Sequence, residues 1–252
     1  MIGSEVMIFI GSLTVSLLYS WLGLAYTGTL ILILHSIGIE ISAVVTVTLA
    51  SQIITAFLGS LLRRKLSTNG DVKNPLLIAV VAIATYSSAS LIGVTLSDNT
   101  RLGGIMVILV LTAILNIASK EGDPCSSRGG LLINVVAGLS SGVVKGVLGG
   151  GMTPTLIAIQ RFGKIDIDET FYRTLLAQTI ICLAALIPYT LAFGFDFKLF
   201  TIVSLGSITG VTLGYKIIAP ISKELRVKLV SLIMVLLTLA YLIKFLLEVV
   251  CV

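Results

Sequence analysis

Residues 138–159 read GLSSGVVKGVLGGGMTPTLIAI, and this stretch decides the fold. Glycines recur every fourth residue at Gly138, Gly142 and Gly146, a spacing that places them on one helix face and lets a second helix approach closely. Three consecutive glycines follow at 149–151, and each costs about 1 kcal/mol in a helix interior. We therefore expect one apolar helix to end at the triple glycine and another to begin after it.

The residues after the triple glycine predict a new helix start. Thr153 is a good N-cap, and Pro154 suits the first helical position because it has no amide hydrogen to leave unpaired. A helix that begins inside a membrane directs free amides and a partial positive charge at whatever lies in front of it. The pattern predicts an anion site there, with packing of small residues as the alternative.

The composition places these helices in a membrane. Of the 252 residues, 12% are charged and 56% are hydrophobic, and the mean hydropathy is +1.11, whereas about a quarter of a soluble domain is charged. These values exclude a soluble enzyme, a nucleic-acid-binding protein and a disordered hub. The N-terminal sequence lacks the basic region and cleavage site of a removable signal, so we expect it to form the first membrane segment.

Eight predominantly apolar stretches are long enough to be membrane segments. Eight simple crossings would divide Lys and Arg evenly between the two sides, against the positive-inside rule. If the first and fifth segments each enter and return on one side, 13 of these residues lie on one side and 2 on the other. A seven-span or nine-span topology also fits. The segments are 6–34, 41–62, 75–97, 102–119, 129–160, 168–194, 198–218 and 226–248.

An internal repeat divides the chain into halves, 1–126 and 127–252. Shifting the sequence by 126 residues superimposes LGLAYTGTLILI at 22–33 on LGGGMTPTLIAI at 148–159 without a gap. The same register pairs Thr48 and Gln52 of the first half with Thr and Gln in the second. Inverted repeats with broken helices at their interface are a common transporter plan. We therefore predict an all-α membrane bundle of two homologous, inverted halves, each opening with a broken or re-entrant helix.

Each candidate site residue has a structural alternative. Lys145 is either a charge in the binding site or a lysine whose amine reaches the lipid headgroups. Its repeat equivalent is Tyr19. We expect the tyrosines to be packing residues or anchors at the membrane interface. Thr and Gln at i and i+4 could bind oxyanion oxygens, or bond their own helix and its neighbours. Arg173 is either an anion ligand or, as we favour, a topology charge. The predicted substrate-binding residues are Thr27, Gly28, Thr29, Thr48, Gln52, Lys145, Gly149, Gly150, Gly151, Thr153, Pro154, Thr155, Thr174 and Gln178.

The chain carries no recognisable catalytic or metal-binding motif. It has one His and three widely spaced Cys, and it contains no Gly-x-Ser-x-Gly, HExxH or phosphate-loop sequence. We therefore expect a protein that is not an enzyme and needs neither a cofactor nor a metal. The expected partners are a small anion and the lipid bilayer, with no nucleic acid.

At residues 138–157 the sequence resembles the sulfite exporter TauE/SafE family of membrane anion permeases. The family pattern is a Gly-x-x-x-Gly helix that runs into Gly-x-Gly-Gly-Gly with a Pro shortly after, and the second half fits it. The first half departs from it, with Gly23-Leu24-Ala25 at the triple glycine and Gly28 at the Pro position. The resemblance implies a multi-pass protein of a prokaryotic plasma membrane that transports sulfite, thiosulfate or an organosulfonate.

The functional prediction is a secondary transporter that alternates its access to a small sulfur-containing oxyanion. The alternatives are a channel or permease for another small ion and a membrane-embedded scaffold subunit for a partner protein. The sequence leaves proton coupling and homo-oligomerisation open.

Overall fold

The computed structural model describes residues 2–22, 26–67, 70–97 and 130–218, together with scattered residues between 100 and 114 and between 221 and 243. The four continuous ranges form eight helices. They are α1 (Ile2–Leu22), α2 (Tyr26–Ser36), α3 (Ile41–Arg64), α4 (Lys73–Thr95), α5 (Gly130–Leu148), α6 (Met152–Phe162), α7 (Ile167–Phe193) and α8 (Phe197–Ile218). The described positions between 103 and 114 are also helical, but most of the predicted segments 102–119 and 226–248 lies outside the described residues.

The predicted membrane character is confirmed. Five helices, α3, α4, α5, α7 and α8, are long and apolar enough to cross a bilayer. The stretch Ser4–Tyr19 of α1 and the helix α2 are shorter apolar helices. Large apolar side chains such as Leu91, Leu191 and Phe197 are exposed, as expected where lipid replaces water as the solvent. The chain is therefore a multi-pass integral membrane protein of the all-α class.

Helix packing crosses between the two predicted halves. Helix α5 packs along α4, α1 packs along α8, and α3 packs against α7 at the centre. One hydrophobic cluster draws on α1, α2, α3, α7 and α8, and a second joins α4, α5, α6 and α7. The opening helix of each predicted half is therefore held mainly by a helix of the other half.

The glycine face of α5 makes the close helix contact that its spacing predicts. A Cβ added at Gly138 would lie 2.8 Å from the Cβ of Val81, and one at Gly146 would lie 2.6 Å from the Cβ of Ala89. A Cβ at Gly142 would overlap Thr85 Oγ1 and the backbone of α4. Larger side chains at these positions would separate the two helices.

The first and fifth predicted segments are each two helices. Helix α1 ends at Leu22 and α2 begins at Tyr26, while α5 ends at Leu148 and α6 begins at Met152. A shift of 126 residues superimposes these two pairs of boundaries and also the starts of α3 and α7. Residues 23–25, between α1 and α2 in the sequence, lie outside the described residues. The agreement supports the predicted division at 126–127, which remains a proposal.

Candidate functional site

The break between α5 and α6 is formed by glycines and not by the predicted threonine cap. Gly149 and Gly151 have φ angles of 73° and 82°, a region that only glycine enters without strain. Gly151 is the N-cap of α6, so Thr153 is the second helical residue and Pro154 the third. The prediction of Thr153 as N-cap and Pro154 as first residue is therefore wrong. The left-handed glycine makes the turn, and the hydroxyl of Thr153 is used elsewhere.

The second break lies against the start of α2. A Cβ added at Gly150 would lie 3.3 Å from the backbone nitrogen of Gly28 and 3.4 Å from its Cα. Gly28 is the third residue of α2 and is buried. The absence of side chains at these two positions lets the backbones approach, and it brings the N-terminal turn of α2 to the turn between α5 and α6.

Two buried Thr–Gln pairs flank this meeting point. Thr27 Oγ1 of α2 donates to Gln52 Oε1 of α3 at 2.5 Å. Gln178 Nε2 of α7 donates to Thr153 Oγ1 of α6 at 2.6 Å. Both pairs join residues 25 positions apart, and the two pairs are related by the 126-residue shift. Four of the predicted site residues are thus brought together as two equivalent pairs.

Each pair also receives a hydrogen bond from the opening helix of the other predicted half. Lys145 Nζ of α5 donates to Gln52 Oε1 at 3.0 Å and lies 3.3 Å from Thr27 Oγ1. Tyr19 of α1, at the position equivalent to Lys145, donates from its hydroxyl to Gln178 Oε1 at 2.9 Å. We call these six residues the central cluster; they are Tyr19, Thr27, Gln52, Lys145, Thr153 and Gln178.

Lys145 is a cation without an ionic partner in this interior. The residue is 1% exposed, so its amine does not extend to the headgroups and the alternative interpretation is wrong. Among the described residues, no Asp or Glu lies within salt-bridge distance of it. A buried charge is costly unless it is paired or well hydrogen-bonded. The position of Lys145 therefore favours binding of a negative group beside it.

Two further polar atoms near the breaks have no hydrogen-bond partner. Gln52 is fully buried, and its Oε1 receives the bonds from Thr27 and Lys145. The Nε2 amide at the other end of the same group has no hydrogen-bond partner. Thr29 Oγ1, two residues after Thr27, is also buried and unpaired. Buried polar groups are nearly always satisfied in native structures. Both groups can donate to a ligand.

The remaining predicted site residues do not join the central cluster. Thr48 Oγ1 bonds the carbonyl of Val45 in its own helix, as the structural alternative proposed. Thr155 Oγ1 likewise bonds the carbonyl of Gly151. Thr174 Oγ1 accepts from Gln160 Nε2 at 3.0 Å. The i, i+4 spacing placed Thr48 and Gln52 on one helix face, but only Gln52 reaches the site.

Sequence reasoning did not list Tyr19 or Cys182 among the site residues. Tyr19 is almost fully buried in contact with Tyr26, with ring centroids 5.3 Å apart, so it is not an interface anchor. Cys182 Sγ donates to Gln52 Oε1 at 3.2 Å. The 126-residue register already equated Tyr19 with Lys145, and that was the signal that could have identified it. Cys182 aligns with Ala56 in this register, so the repeat contains no comparable indication for Cys182.

A second polar cluster lies where α3 ends and α7 begins. Arg63 Nη1 is 3.4 Å from Asp168 Oδ1, and the Arg63 guanidinium lies 4.2 Å from the ring centroid of Phe171. Arg173 Nε donates to Glu169 Oε1 at 2.8 Å. All four charged residues are buried. Arg173 is therefore held by a carboxylate, a role that neither the anion-ligand nor the topology-charge interpretation included.

Comparison with protein families identifies the family to which the chain belongs. The family model described as sulfite exporter TauE/SafE matches residues 6–242, which is nearly the whole chain. The chain belongs to the TauE/SafE family. Comparisons with curated proteins and with solved structures gave no match. Membership makes the chain a membrane transporter of the sulfite and anion class and not an enzyme. In the described residues, no group of three His, Cys, Asp or Glu side chains could hold a metal ion.

Proposed function

We propose that this TauE/SafE chain is a secondary transporter that binds a small sulfur-containing oxyanion, such as sulfite, thiosulfate or an organosulfonate, beside Lys145. The observation that carries the proposal is the buried lysine, which lies next to Thr27 and Gln52 and has no carboxylate partner among the described residues. An anion beside Lys145 would supply the missing countercharge.

The surrounding groups can replace the water that an oxyanion loses on binding. Lys145 has three N–H donors, of which two are directed at Gln52 Oε1 and Thr27 Oγ1. The Nε2 amide of Gln52 is unpaired, and Thr153 Oγ1 accepts from Gln178, which leaves its own proton free to donate. Hydrogen bonds to a charged group contribute about 1.5–3 kcal/mol each. A donor-rich and carboxylate-free site favours an anion over a metal cation.

The hydrogen bonds between the predicted halves suggest how binding is coupled to movement. Lys145 joins α5 to α2 and α3, and Tyr19 joins α1 to α7. An anion that takes the amine of Lys145 away from Gln52 changes the contact between the halves at that point. In our proposal the halves rock about the packed α3–α7 pair, so that the site opens to one side of the membrane and then to the other.

Transport by the purified full-length chain in liposomes tests the function. We expect protein-dependent flux of sulfite or thiosulfate that chloride and divalent cations do not reproduce. Thr153→Val should reduce the flux, because the hydroxyl that accepts from Gln178 is removed. The control is Thr201→Val, since Thr201 is exposed and bonds only the carbonyl of Phe197 in its own helix. Flux of metal ions alone, or no flux of any solute, would contradict the proposal, and the second result would favour a scaffold role.

A further inference from the structure

We infer that the central cluster selects singly charged oxyanions and discriminates against doubly charged oxyanions of the same shape. The inference rests on the proposed function, since it requires that the anion binds beside Lys145. It concerns the charge of the transported species, which family membership leaves undetermined. Among the proposed substrates it favours hydrogen sulfite and singly charged organosulfonates over thiosulfate, which is a dianion at neutral pH.

The first argument is the count of charges in the cluster. Lys145 is its one cation, and the other five members, Tyr19, Thr27, Gln52, Thr153 and Gln178, are neutral polar residues. The other buried cations, Arg63, Arg161 and Arg173, are not members of the cluster. Arg63 and Arg173 are held by Asp168 and Glu169, and Arg161 lies in the last turn of α6. A monoanion would be neutralised by Lys145. A dianion would bring a second charge that no free cation among the described residues compensates, and an uncompensated buried charge is strongly unfavourable.

The second argument is the chemistry of the unpaired groups. Gln52 Nε2 and the hydroxyl of Thr153 are neutral donors in a buried region of the central cluster. They can bind the oxygens of an anion and so determine its shape, but they add no charge. The site therefore supplies several hydrogen bonds and a single positive charge, which matches a sulfonate group or a singly protonated sulfur oxyanion.

The third argument is the difference between the two equivalent positions. The 126-residue shift relates Lys145 to Tyr19. Each of these side chains donates to a glutamine of the other predicted half, Lys145 to Gln52 and Tyr19 to Gln178. A lysine at both positions would give the cluster two cations in equivalent places. The tyrosine keeps the hydrogen bond and omits the charge. Tyr19 is thus a specificity-determining residue in this proposal.

Methanesulfonate and sulfate test the inference because both are tetrahedral around sulfur and carry one and two negative charges. The measurement is the thermal stability of the detergent-purified full chain over a concentration series of each anion at constant ionic strength. A ligand that binds only the folded state stabilises it by RT ln(1 + [L]/Kd), so the rise in melting temperature over the concentration series gives the dissociation constant of each anion. We expect methanesulfonate to bind at least tenfold more tightly than sulfate.

Sulfate could also bind more weakly than methanesulfonate because it is harder to dehydrate. A change in charge at position 19 distinguishes this cause from the single positive charge of the cluster. Tyr19→Lys should shift the ratio of the two affinities towards sulfate by at least tenfold. Thr201→Lys, which adds the same charge at an exposed position of α8, should leave the ratio unchanged. If Tyr19→Lys does not fold, Lys145→Gln replaces it and should lose at least tenfold of the methanesulfonate affinity.

Each result has one meaning. Equal or tighter binding of sulfate by the wild-type chain overturns the charge selectivity but leaves an anion transporter. An unchanged affinity ratio in folded Tyr19→Lys also overturns the charge selectivity alone. Unchanged methanesulfonate binding in Lys145→Gln overturns this inference together with the placement of the anion beside Lys145. No binding of either anion by the wild-type chain overturns both this inference and the proposed function.

Discussion

Replacing Arg63 with Met removes the cation from a buried ion pair and leaves its carboxylate in place. The side chains of Arg63 and Asp168 are 3% and 4% exposed and lie 3.4 Å apart at the junction of α3 and α7. Methionine keeps most of the length of the arginine stem, so the change removes charge and hydrogen bonding more than volume. The substitution therefore measures the loss of folding free energy when Asp168 stays buried and charged without its arginine partner.

The expected effect is large compared with that of a surface ion pair. Removing one partner of a buried pair costs about 3–5 kcal/mol, and for a chain of this size each kcal/mol lowers the melting temperature by roughly 2–4 °C. We therefore expect Arg63→Met to melt roughly 6–20 °C below the wild type. The contact of Arg63 with the Phe171 ring adds to the loss in the same direction.

The assay is thermal unfolding of the detergent-purified protein, with Lys198→Met as the matched control. Lys198 pairs with Glu5 at 2.7 Å, but the two side chains are 67% and 39% exposed, so this variant should stay within about 1 kcal/mol of the wild type. Adding Asp168→Leu to Arg63→Met should recover most of the lost stability, because no charge is then left buried without its partner. An Arg63→Met melting temperature equal to that of Lys198→Met would refute the reasoning.

Two further substitutions test the helix contacts and the site. Gly142→Ala should destabilise the folded protein by about 1–3 kcal/mol because the new Cβ overlaps Thr85 and the α4 backbone. Gly130→Ala is the control and should not destabilise it, because a Cβ at Gly130 faces open space. Equal melting temperatures of the two variants would contradict close α4–α5 packing. Thr27→Val should weaken anion binding by about tenfold, since it removes a hydroxyl that positions both Gln52 and Lys145. Thr48→Val removes only a bond within its own helix and should bind anions as the wild type does, so similar losses in both variants would refute the assignment.

The sequence was sufficient to locate the helices and their breaks because these depend on local chemistry. Charge and turn residues separate the apolar stretches, and the α5–α6 break falls at the triple glycine. The cap was predicted wrongly because Thr153 has good capping propensity, but the left-handed Gly151 already turns the chain. Propensity did not show that the Thr153 hydroxyl has a partner on another helix.

The site was predicted only in part because its contacts join distant residues. The repeat identified Thr27, Gln52, Thr153 and Gln178, and all four are in the central cluster. Tyr19 contacts a residue 159 positions away, and no local pattern distinguishes such a tyrosine from one at the membrane interface. The Arg63–Asp168 pair is similar, since 105 residues separate its members. These contacts follow from the packing of helices of one predicted half against helices of the other.

The central claim is that the anion binds beside Lys145, and equilibrium binding of radiolabelled sulfite to the purified full-length protein tests it most directly. The comparison needs the wild type, Lys145→Met and the exposed control Lys198→Met, each shown to be folded. We predict saturable binding to the wild type and to Lys198→Met, and a loss of at least tenfold in affinity for Lys145→Met. Binding to Lys145→Met with wild-type affinity would contradict the claim.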